Sequence, residues 1–213
     1  MCVNWYERNT GNLAIFLAAV AGYVDALGFI ELGGFFVAFM TGNSTRAGVG
    51  VATGSADALV AAGLILAFLL GVVLSTLVGQ AAGRRRPSAI VILVAALLAL
   101  AALLGGQGMR PVAALVMAMA MGAENAVFER NGEVSIGLTY MTGTLVKLGQ
   151  RLATALMGGD RWGWVPHLKL WLGLMVGGVA GAMVYPFAGL QGLWLAVLLL
   201  LLVGAVIPPR TAA

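Results

Sequence analysis

The sequence predicts an all-α polytopic membrane protein made of two inverted repeats of three transmembrane helices, each repeat also carrying one re-entrant or broken half-helix segment. Three observations lead there. The chain of 213 residues is 61% hydrophobic and 9% charged, with mean hydropathy +1.00, which leaves too little polar surface to cover a soluble globule of that size. Its apolar segments recur in the second half, so that residues 12–104 read as a first repeat and 111–207 as a second within a single membrane domain spanning 1–213. A short phrase, Met40-Thr41-Gly42-Asn43-Ser44-Thr45-Arg46, also returns as Met141-Thr142-Gly143-Thr144-Leu145-Val146-Lys147, displaced by 101 positions.

Segment a runs from about Leu13 to Ile30, close to the ~20 residues a helix needs to cross the hydrocarbon core, and contains Asp25. Segment b, from Gly33 to about Gly54, holds the first phrase. Segment c, about Leu59 to Ala82, places Gly71, Ser75, Gly79 and Gly83 at four-residue intervals, a ridge suited to close helix contact and expected to hold this segment against its counterpart c' in the second half or against another protomer in a homo-oligomer. Arg84-Arg85-Arg86-Pro87 ends it. Segment d, Ala89 to Leu104, is nearly featureless and is expected to face lipid, and Gly105 is expected to lie in the loop beyond it.

The plan then restarts. Gly122-Ala123-Glu124-Asn125-Ala126 repeats Gly22-Tyr23-Val24-Asp25-Ala26 at an offset of 100, so Asn125 answers Asp25. Segments a' (Val112 to Phe128), b' (about Ile136 to Met157), c' (about Val165 to Tyr185, with Gly173, Gly177 and Gly181 on a matching ridge) and d' (about Leu193 to Ile207) follow. Pairing Gly71 with Gly177 gives an offset of 106, the drift being taken up by loop residues. Internal repeats of this kind are a known transporter plan.

Charge distinguishes the two topologies for the b segments. If they dip in and return on one side, Arg8, Arg84, Arg85, Arg86, Arg130, Arg161, Lys169 and Arg210 share one face and Arg110 alone lies on the other; if they cross, the split is five against four. The positive-inside rule favours the first arrangement, with both termini cytoplasmic. The start of the chain lacks the basic region and cleavage site of a secretory signal, so segment a is expected to remain. Trp162, Trp164, Trp171, Trp194 and Tyr185 read as interfacial anchors.

Gly22-Tyr23-Val24-Asp25-Ala26-Leu27-Gly28-Phe29, Gly34-Phe35-Phe36-Val37-Ala38-Phe39-Met40-Thr41-Gly42-Asn43, and in the second half Glu124-Asn125-Ala126 with Met141-Thr142-Gly143-Thr144, resemble the YoaK-like bacterial membrane proteins, a domain-of-unknown-function family. The resemblance covers nearly the whole chain; where the family typically has glutamine, this chain has Glu124. It implies a compact polytopic inner-membrane protein and supplies no substrate.

Each Met-Thr-Gly phrase reads as a helix start inside the membrane, after an apolar run broken by glycine (Gly33-Gly34 in one copy, Gly132 and Gly137 in the other). Hydroxyl or amide side chains there can accept from the orphan N–H groups of a first turn, and glycine admits another backbone or a solute. Inversion would bring both starts together near the midplane, converging their N–H groups and positive dipole ends. The candidate solute-binding residues are therefore Thr41, Gly42, Asn43, Arg46, Thr142, Gly143, Thr144, Lys147 and Asn125. Asp25 and Glu124 are candidates for proton coupling, or for structural ion pairs with Arg46 and Lys147.

The expected function is a small-solute transporter or channel with a midplane site between the repeats, suited to an anionic or neutral polar solute. The alternative is a non-transporting membrane scaffold or sensor whose buried polar pairs are structural. An enzyme is not expected, since no nucleophile–base pair or nucleotide loop is present. One cysteine, Cys2, and one histidine, His167, offer no metal constellation, and no cofactor or nucleic-acid partner is indicated.

Overall fold

The computed structural model describes residues 3–130, 133–134 and 137–207, with side chains described from residue 10 onward apart from 130, 133 and 134; Cys2, Gly132, Ile136 and Arg210 lie outside the described residues. Eight α-helices follow one another among them: α1 Val3–Glu31, α2 Met40–Thr53, α3 Asp57–Ala82, α4 Arg86–Gly106, α5 Arg110–Glu124, α6 Met141–Leu156, α7 Val165–Ala188 and α8 Leu193–Val206. A 3₁₀ turn, Asn125–Phe128, prolongs α5, and two antiparallel two-residue strands, Glu129–Arg130 (β1) and Glu133–Val134 (β2), follow it. The strands are too short to register as alternation in the sequence.

Four apolar stretches are long enough to cross a membrane: Thr10–Glu31, Asp57–Gly106, Arg110–Phe128 and Val165–Val206. The second and fourth, 50 and 42 residues long, exceed one crossing and fold back as α3 with α4 and α7 with α8. Helix boundaries follow local chemistry. Proline sits in the first turn of α4, α5 and α7 (Pro87, Pro111, Pro166), where its missing N–H costs nothing. Gly33 and Gly34, at φ 61° and 106°, end the run of α1, and Gly54 closes α2 in the left-handed conformation at φ 66°.

The two halves are interlaced. α1 packs mainly on α7, and α5 on α3, so the first helix of each half lies against the third helix-sized segment of the other. The small-residue ridges make these contacts: a Cβ built at Gly177 would stand 1.8 Å from the Ala19 carbonyl oxygen, one at Gly71 1.9 Å from that of Met119, one at Gly22 2.1 Å from that of Leu174, and one at Gly122 2.0 Å from that of Phe68. The four contacts match in pairs across the two halves at sequence offsets of 100 and 106. Gly173 on Ile15, Gly177 on Ala19 and Gly181 on Tyr23 advance together, so α1 and α7 run in the same direction. The ridges of α3 and α7 are thus occupied inside the chain, each by the opposite half's first helix, which corrects the expectation that they hold each other: a small-residue ridge admits whichever backbone lies against it.

At one end of the bundle Glu31, closing α1, accepts from Tyr185 Oη near the end of α7 (2.9 Å) and pairs with Arg110 Nε at the start of α5 (3.3 Å), while Gln191 Nε2 donates to the Ala102 carbonyl (3.0 Å). At the other end Arg86 pairs with Glu129 and Ser88 Oγ donates to the Ile207 carbonyl (3.2 Å). α4 corrects the expectation of a lipid-facing wall: Ile90, Val91, Val94, Ala95, Leu98, Ala101 and Ala102 are buried against α5, α8 and α3. A helix that is apolar all round gives the sequence no face to read. Gly105 is likewise no loop residue; it belongs to the last turn of α4 and lies against Leu190.

Candidate functional site

The segment between α1 and α2 is irregular at the level of Asp25, and its backbone needs acceptors and donors that no helix supplies. Asp25 Oδ1 accepts from the N–H groups of Val37 (2.8 Å) and Ala38 (2.7 Å). Asn43, fully buried, clasps one residue twice: Oδ1 accepts from Phe36 N–H (3.0 Å) and Nδ2 donates to the Phe36 carbonyl (2.6 Å). Asp25 thereby stands beside the start of α2, where the positive end of the helix dipole favours a carboxylate. The expected hydroxyl caps are not made: Phe39 precedes α2 with no side-chain cap, and Ser44 and Thr45 donate back to the Met40 and Thr41 carbonyls instead. Gly42 serves packing, since a Cβ there would come within 2.9 Å of the Phe36 and Phe39 rings. Thr41 is exposed.

Arg46 departs from the structural ion pair expected of it. Its guanidinium lies 4.5 Å above the Phe35 ring, in a cation–π contact, and against Gly34, where a Cβ would meet Nη2 at 2.6 Å. Among the described residues it has no carboxylate partner. The Gly33-Gly34 pair therefore both ends α1 and makes room for this side chain.

The second junction is built on the same plan with different atoms. Asn125 Nδ2 donates to the Met121 carbonyl (3.0 Å), and Oδ1 accepts from Thr139 Oγ1 (3.2 Å), tying the segment before α6 to the end of α5 as Asp25 ties the segment before α2 to α1. Thr144 is buried and donates to the Tyr140 carbonyl (3.3 Å), again without capping α6. Thr142, Gly143 and Lys147 are exposed, and Lys147 makes no ion pair among the described residues. Glu124 is fully buried, and neither carboxyl oxygen has a partner among the described residues. The pairing of Glu124 with Lys147 is therefore absent too.

The expected residues thus form two separate groups. Asp25, Asn43 and Arg46 gather around residues 34–39, and Asn125, Thr139 and Thr144 around the start of α6. α2 packs along α3 and α6 along α7; the two helix starts do not pack on each other. Sequence reasoning missed Phe36, whose backbone is the object of Asn43, and the pairs Arg86–Glu129 and Glu31–Arg110. An Arg-Pro dipeptide opening both α4 and α5 was the available signal for the latter two. Beside Asp25, a groove of about 530 Å³ opens between α1 and α7.

Apolar helices of spanning length, buried ionisable groups and irregular backbone satisfied by side chains define a polytopic helical membrane protein. The comparisons make this specific. Residues 13–206 match the family described as "Protein of unknown function (DUF1275)", and the chain belongs to that family. It is similar to the UPF0700 transmembrane protein RA0705 of Rhizobium meliloti (strain 1021), at 39% identity over 96% of this chain and 91% of that protein. It is also similar to the UPF0700 transmembrane protein YoaK of Bacillus subtilis (strain 168), at 34% identity over 66% of this chain and 65% of that protein. The YoaK-like resemblance read from the motifs is thereby shown. No solved structure matches.

Proposed function

We propose that the chain is a small-solute membrane transporter or channel of the inner membrane, built from two inverted repeats of three spanning helices with α2 and α6 as re-entrant half-helices and both termini cytoplasmic. Support for inversion comes from the ends of the helices. Glu31, closing the first helix of one half, meets Arg110, opening the first helix of the other, so the two run in opposite directions. Support for re-entry comes from Asp25: the chain leaves α1 at Glu31, returns to the level of Asp25 at residues 37–38, and then climbs about 21 Å through the 14 residues of α2.

The observation that carries a solute-handling role is Arg46. A guanidinium seated on Phe35 without a carboxylate keeps its donors available to an anionic or hydrogen-bonding solute, at a place where a cation with no partner would otherwise be costly. Purified protein in liposomes, challenged in stopped-flow light scattering with glycerol, urea, formate and nitrate, tests this. Faster entry of at least one solute than in empty liposomes, lost in Arg46→Gln while the protein stays monodisperse, is expected. Entry at the empty-liposome rate for all four would refute it.

The scaffold reading has its own support: Asn43 and Asn125 spend their amides on backbone and on Thr139. It expects Arg46→Gln to change thermal stability alone.

A further inference from the structure

The groove beside Asp25 has a chemistry different from that of Arg46. It runs between α1 and α7 and against the irregular segment; its floor is Gly22 and Gly178, Ala182 lies along it, the rings of Phe29 and Phe36 stand together with centroids 4.9 Å apart, and Asp25 is the ionisable residue in its wall. At about 530 Å³ it has the size of sites that take drug-like molecules. Its rim is apolar and exposed, with Ile30 at 40% and Val179 at 56%, so in a bilayer it opens sideways to lipid. The opening depends on Gly178, whose repeat equivalent is Val72, and the equivalent of Phe29 is Glu129.

We propose that this groove is a binding site for hydrophobic cations, in particular aromatic or alkyl ammonium and phosphonium compounds that reach it through the lipid. Two aromatic rings offer negative faces to a cation. The carboxylate supplies a full negative charge against the roughly half charge at the start of α2, so the wall is net attractive to a cation. Arg46 does not line the groove, being seated on Phe35 and Gly34. The site does not depend on the transport reading, because binding alone defines it.

Tetraphenylphosphonium and tetraphenylborate have the same shape and opposite charge, and binding of each to purified full-length protein in detergent can be measured by equilibrium dialysis. Saturable binding of the phosphonium, weakened about tenfold or more in Asp25→Asn and in Gly178→Val, with the borate bound at least tenfold more weakly by the unmodified protein, is expected. Both variants should fold. Asparagine already holds the equivalent position as Asn125, and a Cβ at Gly178 meets only the Gly22 carbonyl oxygen at 3.7 Å. Arg46→Gln, which the transport reading makes inactive, should keep phosphonium binding. Equal binding of the two ions, undiminished phosphonium binding in both groove variants, or its loss in Arg46→Gln would overturn the proposal.

Discussion

Replacing Gly177 with alanine adds one methyl group where the two halves interlock, and the structure sets the scale of the result. The new Cβ would lie 1.8 Å from the Ala19 carbonyl oxygen, 2.6 Å from its carbon and 2.9 Å from its Cα. All three are backbone atoms in the middle of α1, so no rotamer change relieves them, and α1 and α7 must move apart by more than an ångström along their shared ridge. Overpacking of this kind costs about 1–3 kcal/mol. For a chain of this length each kcal/mol corresponds to about 2–4 °C in Tm, giving a loss of about 2–12 °C. Gly71→Ala, facing Met119 at 1.9 Å, should lose a similar amount, and the double variant should lose nearly the sum of the two. Gly48→Ala is the control, since nothing lies within 4 Å of its Cβ position and the change improves helix propensity. Melting followed by size-exclusion chromatography after heating, all variants in one detergent, reads the outcome. A Gly177→Ala protein that melts with the Gly48→Ala protein would refute the interlocking argument.

Asn43→Ala leaves both the N–H and the carbonyl of Phe36 unpaired at a partly buried position and should cost up to about 1–3 kcal/mol for each group, read as lost thermal stability; Asn43→Asp, able to accept but not to donate, should fall between. Glu129→Gln should destabilise more than Glu31→Gln, because both side chains of the Arg86–Glu129 pair are shielded, at 12% and 14% exposed, whereas Glu31, though 6% exposed, is paired with an Arg110 that is 69% exposed and solvated on its own, and glutamine can still accept from Tyr185; comparable melting of the two variants would contradict this. In a Cys2→Ser background, Gln107→Cys and Arg85→Cys should react with an impermeant maleimide from opposite sides of the membrane, and labelling of both from one side would remove the inverted topology.

The element plan was largely legible because membrane helices announce themselves by length and apolarity. Segments a, c and c' meet α1, α3 and α7 within a few residues at their inner boundaries, and the offsets of 100 and 106 found by matching Gly22 with Gly122 and Gly71 with Gly177 recur in the glycine-on-carbonyl contacts. The partners of those ridges were not legible, because a small-residue ridge states that a backbone approaches and not which one. The partly buried side of α4 was hidden for the related reason that a uniformly aliphatic helix carries no directional pattern. At the site, Asp25 and Asn125 were found as repeat equivalents at polar junctions, yet Arg46 was expected against Asp25. Opposite charges close in sequence suggested a pair, while the unpaired backbone of residues 36–38, which a sequence does not display, took up Asp25 and Asn43 instead.

The crossing of α1 onto α7 also imposes an order on biogenesis. Ile15 and Gly173, which touch in the finished protein, are made far apart in time: at 5–20 residues per second the second follows the first by roughly 8–30 s. During that interval α1 is in the bilayer without its main neighbour. Its carboxylate, however, need not wait, because the N–H groups that Asp25 accepts belong to Val37 and Ala38, only 12 and 13 residues downstream. The nascent chain can therefore shield this carboxylate locally and at once. It leaves to the late-arriving helix the Tyr185 hydrogen bond to Glu31 at the end of α1 and the apolar face around Ile15, Ala19 and Gly22, which lipid chains can cover until α7 displaces them.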